Sequence, residues 1–151
     1  MNIEEIKEKV SSACKHISDT DSGIWHTTEW NICSHLQTVL NEVFSEYDVD
    51  VELIKYDGRR PDIVIHKRGN NSDNLIVFQA KKNPTMKDIR DDLNKITETF
   101  FEDPYFYKFG ILISIGRLPD NLPDFDKDKI GIIEVYGWVL DESIPESDMD
   151  L

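Results

Sequence analysis

Three polar residues punctuate two apolar runs in the middle of the chain. Asp62 opens "PDIVIHK" (61–67), and Gln79 and Lys81 close "NLIVFQAK" (74–81). An acid, an amide and a lysine can build a metal-dependent active site. The carboxylate binds a hard cation, the amide carbonyl adds an oxygen, and the ammonium stabilises negative charge. The same types also decorate ordinary hairpins, so position decides between the two readings. The turn-rich "RGNNSD" separates the runs and predicts a hairpin. If the strands pair antiparallel about Asn70–Asn71, paired residue numbers sum to about 141. Asp62 then faces Gln79 with Cβ atoms about 5 Å apart. Alternation puts Lys81 on that same face, and Ile63, Ile65, Ile76 and Phe78 on the other. A one-residue slip would scatter the cluster.

A fourth candidate lies upstream. At 100° per residue on a helix, Glu29 falls within about 40° of Cys33, Leu36, Leu40 and Val43. It therefore stands in the apolar stripe, at the first turn. An unpaired carboxylate turned toward a core is costly and calls for a partner or a metal. Acids also favour helix N-termini for the dipole alone, so the helix leaves both readings open.

The elements that must position these residues follow from the periodicity. Ile3, Ile6, Val10, Ala13 and Ile17 step by three or four, which predicts an amphipathic helix ended by "SDTDSG". A second helix is expected from Thr27/Thr28 to about Phe44, and a strand over 49–56. The hairpin strands come next. A third helix follows from Pro84, with Met86, Ile89, Leu93, Ile96 and Phe100 as its stripe. Strands over 110–116 and 129–140 complete the order α–α–β–β–β–α–β–β. Three consecutive strands predict an antiparallel meander, and the next helix a crossover. The fold class is α/β (α+β mixed), with a central mixed β-sheet of about five strands flanked by helices. The expected organisation is a single domain over 1–151, with an acidic, frayed C-terminal tail at 141–151.

Composition sets limits. With 151 residues, 39% apolar and 31% charged, the chain is long enough for a real core. No apolar run is long enough to span a membrane and the N-terminus lacks a signal-peptide core, so the expected location is cytoplasmic. Cys14 and Cys33 have no metal-ligand spacing, which argues against structural zinc and a disulfide framework. The net charge of −13 opposes nucleic-acid binding when taken globally. Its distribution is uneven. From Lys55 to Arg90, nine basic residues face four acids, a local +5 that leaves −18 on the remainder. Chance clustering on a solvated surface explains such a run as readily as a binding face does.

"RPDIVIHKRG…NLIVFQAKK" resembles the PD-(D/E)XK, or restriction-endonuclease-like, nuclease superfamily. Pro61-Asp62 matches the family's Pro-Asp, Gln79-Ala80-Lys81 its acid-x-Lys, and Glu29 the glutamate often found on the preceding helix. The likeness covers about residues 27–116. It implies a restriction-endonuclease-like core and a Mg²⁺- or Mn²⁺-dependent hydrolase, an endonuclease cutting phosphodiester bonds in DNA, with RNA or branched DNA as further substrates. The implied catalytic residues are Glu29, Asp62, Gln79 and Lys81. Asp62, Glu29 and Gln79 would hold the metal, and Lys81 would orient the attacking water and stabilise charge on the phosphate. Arg59, Arg60, Lys82 and Lys87 would bind flanking phosphates. A homodimer would serve a small domain that cuts both strands. No membrane role is implied.

Gln79 departs from the family pattern, which has Asp or Glu there. It keeps a carbonyl oxygen but removes one negative charge. Either Glu29 restores that charge and the site is an active variant, or the fold serves as an inactive nucleic-acid-binding or regulatory subunit. A third reading is an acidic protein-interaction module using the tail. Of the remaining candidates, His66 ends a strand on the Asp62 face, where a hydrogen bond to a neighbouring loop explains it. His16, His26 and His35 share no ligand spacing. Glu52 and Asp57 read as surface charges. Trp25, Trp30 and Trp138 read as packing residues, and Tyr105, Phe106 and Tyr107 as cover for a sheet edge.

Overall fold

The computed structural model describes residues 1–51 and 60–135. Helix α1 (Ile3–Asp21) starts at Asn2, whose side chain accepts the Glu5 amide at 2.9 Å. It buries Ile3, Ile6, Val10, Ala13, Cys14 and Ile17. The helix runs three residues past the expected break at Ser18, and a 3₁₀ turn over Ser22–His26 follows it. Asp19 and Thr20 lie on its exposed side, where they do not disturb packing. Trp25, buried in the turn, donates from Nε1 to Ser18 Oγ at 3.0 Å and ties the turn back to the helix. Helix α2 (Glu29–Val43) is capped by Thr28, which accepts the Asn31 amide, and buries Ile32, Cys33, Leu36 and Leu40.

Five strands form one sheet in the order β1-β2-β3-β4-β5. They are β1 (Asp48–Val51), β2 (Ile63–His66), β3 (Ile76–Lys82), β4 (Phe109–Ile115) and β5 (Ile130–Glu134). The first three form the expected antiparallel meander, and β3, β4 and β5 run parallel. Helix α3 (Met86–Lys95), prolonged by a π turn over Ile96–Phe100, makes the crossover from β3 to β4. Thr85 and Asp88 close a reciprocal capping box at its start. No helix makes the next parallel connection. The stretch 116–129 crosses irregularly, and its Leu118, Leu122 and Phe125 pack against the apolar layer under α3. The result is a mixed α/β architecture, as expected.

The sheet is covered on both faces, so β2, β3 and β4 are nearly continuous apolar runs. One face carries Ile63, Ile65, Ile76, Phe78, Ala80, Ile111 and Ile113 against α1 and α2. The other carries Val64, Val77 and Leu112 against Ile89, Leu93, Ile96 and Phe100 of α3 and its π turn. No helix among the described residues is long and apolar enough to cross a membrane. The expected strand beyond Val51, the end of the strand over 129–140, and the tail at 141–151 lie outside the described residues. So do Glu52, Asp57, Arg59 and Trp138.

Candidate functional site

The hairpin has the anticipated register, with Ile63 opposite Phe78, Val64 opposite Val77 and Ile65 opposite Ile76. The paired stretch ends there, with Asp62 one residue ahead of it. The turn itself differs. It is tight at Arg68–Gly69, where the Asn70 amide donates to the Lys67 carbonyl at 3.1 Å and Gly69 has φ +78°. A 3₁₀ turn over Asn71–Asp73 takes up the remaining length before β3. The strands keep their pairing because their alternating apolar positions must meet the core, whatever the loop does.

Asp62 sits just ahead of β2, after the buried Pro61. Its amide donates to the Phe78 carbonyl at 3.2 Å, and its Oδ2 accepts the Ala80 amide at 2.7 Å. The carboxylate is thus tied to the residue between Gln79 and Lys81. Burial pushes its pKa above the usual carboxylate value. The Ala80 hydrogen bond and the charges of Lys81 and Lys95 pull it back, and the charge of Glu29 raises it. Phe78 and Ala80 belong to the α1/α2 side, so Gln79 and Lys81 project toward α3. Gln79 is 2% exposed, and its Nε2 has no hydrogen-bond partner among the described residues.

Glu29 is exposed rather than buried in the α2 stripe. It is the first helical residue, where α2 meets the end of the sheet, and its Oε1 accepts the Lys82 amide at 3.1 Å. The azimuth that suggested the core leads instead to the end of β3, beside Asp62. Lys82 turns the other way from Lys81, and its Nζ donates to the Thr27 carbonyl at 2.8 Å. That bond anchors the segment leading into α2. Lys87 is exposed on α3 and pairs with Asp91 at 2.7 Å. Arg60 is exposed, two residues before Asp62.

His66 lies four residues from Asp62, roughly 13 Å along an extended strand. Its Nε2 is 2.7 Å from Asp50 Oδ2. Arg68 grips the same carboxylate, with Nη2 at 2.6 Å from Oδ1 and Nε at 3.0 Å from Oδ2. This triad fastens β1 to the hairpin and stands apart from Asp62. Trp25 is buried, whereas Trp30, next to Glu29, is 55% exposed and does not pack as expected. Tyr105 and Tyr107 are buried, and Phe106 is exposed.

One acidic residue escaped the sequence reading. Asp92 of α3 is 3% exposed, and its Oδ2 has no hydrogen-bond partner among the described residues. Burial pushes its pKa up to about 6. Lys81 and Lys95 oppose that shift, while Asp62 and Asp88 add to it. The signal was present in the spacing, because Asp92 falls between Ile89 and Ile96 at helical steps of three and four.

The donor set is oxygen-rich, with Asp62, Asp92 and the Gln79 carbonyl on one layer. Such a set suits Mg²⁺, which needs one or two carboxylates and keeps several waters. Among the described residues, no group of three or more His, Cys, Asp or Glu side chains is arranged to hold a metal. No family model matches the chain, and no curated protein or solved structure matches it.

Proposed function

We propose that this chain is a divalent-cation-dependent, nuclease-like protein with a restriction-endonuclease-like core, hydrolysing phosphodiester bonds in DNA. The observation that carries this reading is the hydrogen bond that fixes Asp62 to the amide of Ala80, the residue between Gln79 and Lys81, with Asp62 under the charges of Lys81 and Glu29. The antiparallel meander, crossover helix and parallel strand agree with that core.

Asp62 would hold the cation, joined by the Gln79 carbonyl. A bound Mg²⁺ supplies Lewis-acid polarisation of the phosphate and a bound water of lowered pKa. Lys81 Nζ would stabilise the charge that grows on the phosphate oxygens. Glu29 holds the end of β3 through the Lys82 amide, so it positions Lys81 from the neighbouring residue. Arg60 would meet a flanking phosphate, and exposed Trp30 offers a face on which a base can stack.

A second reading keeps the fold and drops the cleavage, leaving a nucleic-acid-binding or regulatory subunit. The amide at Gln79 favours it, together with the lack of a three-acid group among the described residues. Incubation of single-stranded, duplex and branched DNA with Mg²⁺ or Mn²⁺ separates the two. The first reading expects cleavage that disappears in Asp62→Asn and Lys81→Ala. Retained DNA binding with no cleavage under either metal supports the second.

A further inference from the structure

In the apolar layer between α3 and the sheet, Gln79 Nε2 from below and Asp92 Oδ2 from above are buried with no hydrogen-bond partner among the described residues. Both residues enter that layer for clear reasons. Gln79 alternates with Phe78 and Ala80, which face α1 and α2, so it shares the α3 side with Val77. Asp92 shares the buried side of α3 with Ile89, Leu93 and Ile96. A buried donor or acceptor left without a partner costs about 1–3 kcal/mol, and a carboxylate costs more. Two of them in one layer mark a place where a polar group belongs. An apolar residue at position 92 would fill the stripe without penalty.

Lys81 does not account for Asp92 by itself. Its charge acts on the carboxylate, as do those of Lys95, Asp62 and Asp88, yet Oδ2 still has no hydrogen bond among the described residues. The missing group must therefore satisfy a carboxylate oxygen on the side of α3 that feels the charge of Asp62. A hydrated divalent cation meets both conditions. Gln79 can present either its oxygen or its nitrogen, because the two ends of an amide exchange by a half-turn.

We infer that Asp92 is the second carboxylate of the cation site, replacing from α3 the acid that β3 lacks at Gln79. This inference rests on the function proposed above. Asp62, just ahead of β2, and Asp92, on the crossover helix, would hold the cation from the two layers. The charge removed at Gln79 is returned one layer above it. Glu29 is then free of metal duty and serves the end of β3.

The test is a Mn²⁺ titration of the full chain followed by electron paramagnetic resonance of the free ion, which reads binding without cleavage. Wild type, Asp62→Asn, Asp92→Asn and the double variant Asp92→Asn/Gln79→Glu are compared, with circular dichroism confirming that each is folded. The inference expects Asp62→Asn and Asp92→Asn each to weaken Mn²⁺ binding by at least ~10-fold, and the double variant to recover most of it. Wild-type binding in Asp92→Asn, with loss in Asp62→Asn, overturns the role of Asp92 and leaves the proposed function standing. Loss in Asp92→Asn that the double variant does not recover also overturns it, assigning Asp92 to the placement of Lys81. Equal binding by wild type and Asp62→Asn overturns the cation site altogether, and Asp92 with it.

Discussion

Asp62 Oδ2 accepts the backbone amide of Ala80 at 2.7 Å, so the acid ahead of β2 is locked to the strand that carries Gln79 and Lys81. The hydrogen bond spends one carboxylate oxygen on rigidity. A catalytic carboxylate needs such support, since a loose side chain loses the geometry that makes it useful. The same bond makes the two usual replacements of Asp62 unequal. Asn keeps an oxygen for the Ala80 amide, whereas Ala leaves that amide without its acceptor. Asp62→Ala should be less stable than Asp62→Asn by about 1–2 kcal/mol in urea unfolding, although both lose the charge. Equal midpoints and slopes would remove the structural half of this account.

Asp92→Asn should unfold at a higher temperature than wild type when no divalent cation is present. A buried carboxylate whose oxygen lacks a partner destabilises the chain, and the neutral amide relieves part of that cost. The expected gain is about 1 kcal/mol, or roughly 2–4 °C in a protein of this length. Calorimetry in chelator-treated buffer reads it. A lower melting temperature would mean that Asp92 is held by a structural ion pair.

Acid should loosen β1 first. His66 and Arg68 hold the Asp50 carboxyl below its usual pKa, with the Arg68 hydrogen bond the larger cause and partial burial opposing it. A depressed folded value means that the stabilisation is present above the unfolded carboxylate pKa, about 4. It is lost as pH falls through the lower, folded value. Asp50→Asn should therefore narrow the stability difference between pH 6 and pH 3 relative to wild type. Denaturant melts at the two values check this, and an unchanged difference would remove the triad from the acid response.

Neither cysteine should react in the native state. Cys14 and Cys33 are buried, and burial pushes the Cys14 thiol up to about 12, far from the thiolate needed for alkylation. Mass spectrometry after iodoacetamide treatment should show no modification until denaturant is added. Rapid native labelling of Cys14 would mean that α1 opens readily from the sheet.

Much of the fold was legible because the apolar periodicities are long and clean. Ile3, Ile6, Val10 and Ile17 marked α1, and the hairpin register followed from where Ile63, Ile65, Ile76 and Phe78 must face. The turn was misplaced because Asn70–Asn71 has turn chemistry, while the chain used Arg68–Gly69, two residues earlier, where the positive φ of Gly69 admits a tighter reversal. The core-facing reading of Glu29 came from azimuth alone, which cannot tell a helix end passing the sheet from a helix middle facing the core. Asp92 was missed because the eye follows the apolar members of a stripe. Lys82 was counted among outward cations, yet the carbonyl of Thr27 takes its ammonium. Charge windows give composition and not direction.

The central claim is cation-dependent hydrolysis at the Asp62–Lys81 face. Its most direct test is the single-turnover cleavage rate of end-labelled DNA in Mg²⁺ and in Mn²⁺, for wild type and for Asp62→Asn and Lys81→Met. The account predicts cleavage abolished by chelator and reduced by about 10²–10³ in each variant. Cleavage that survives chelator, or that both variants retain at the wild-type rate, would contradict it.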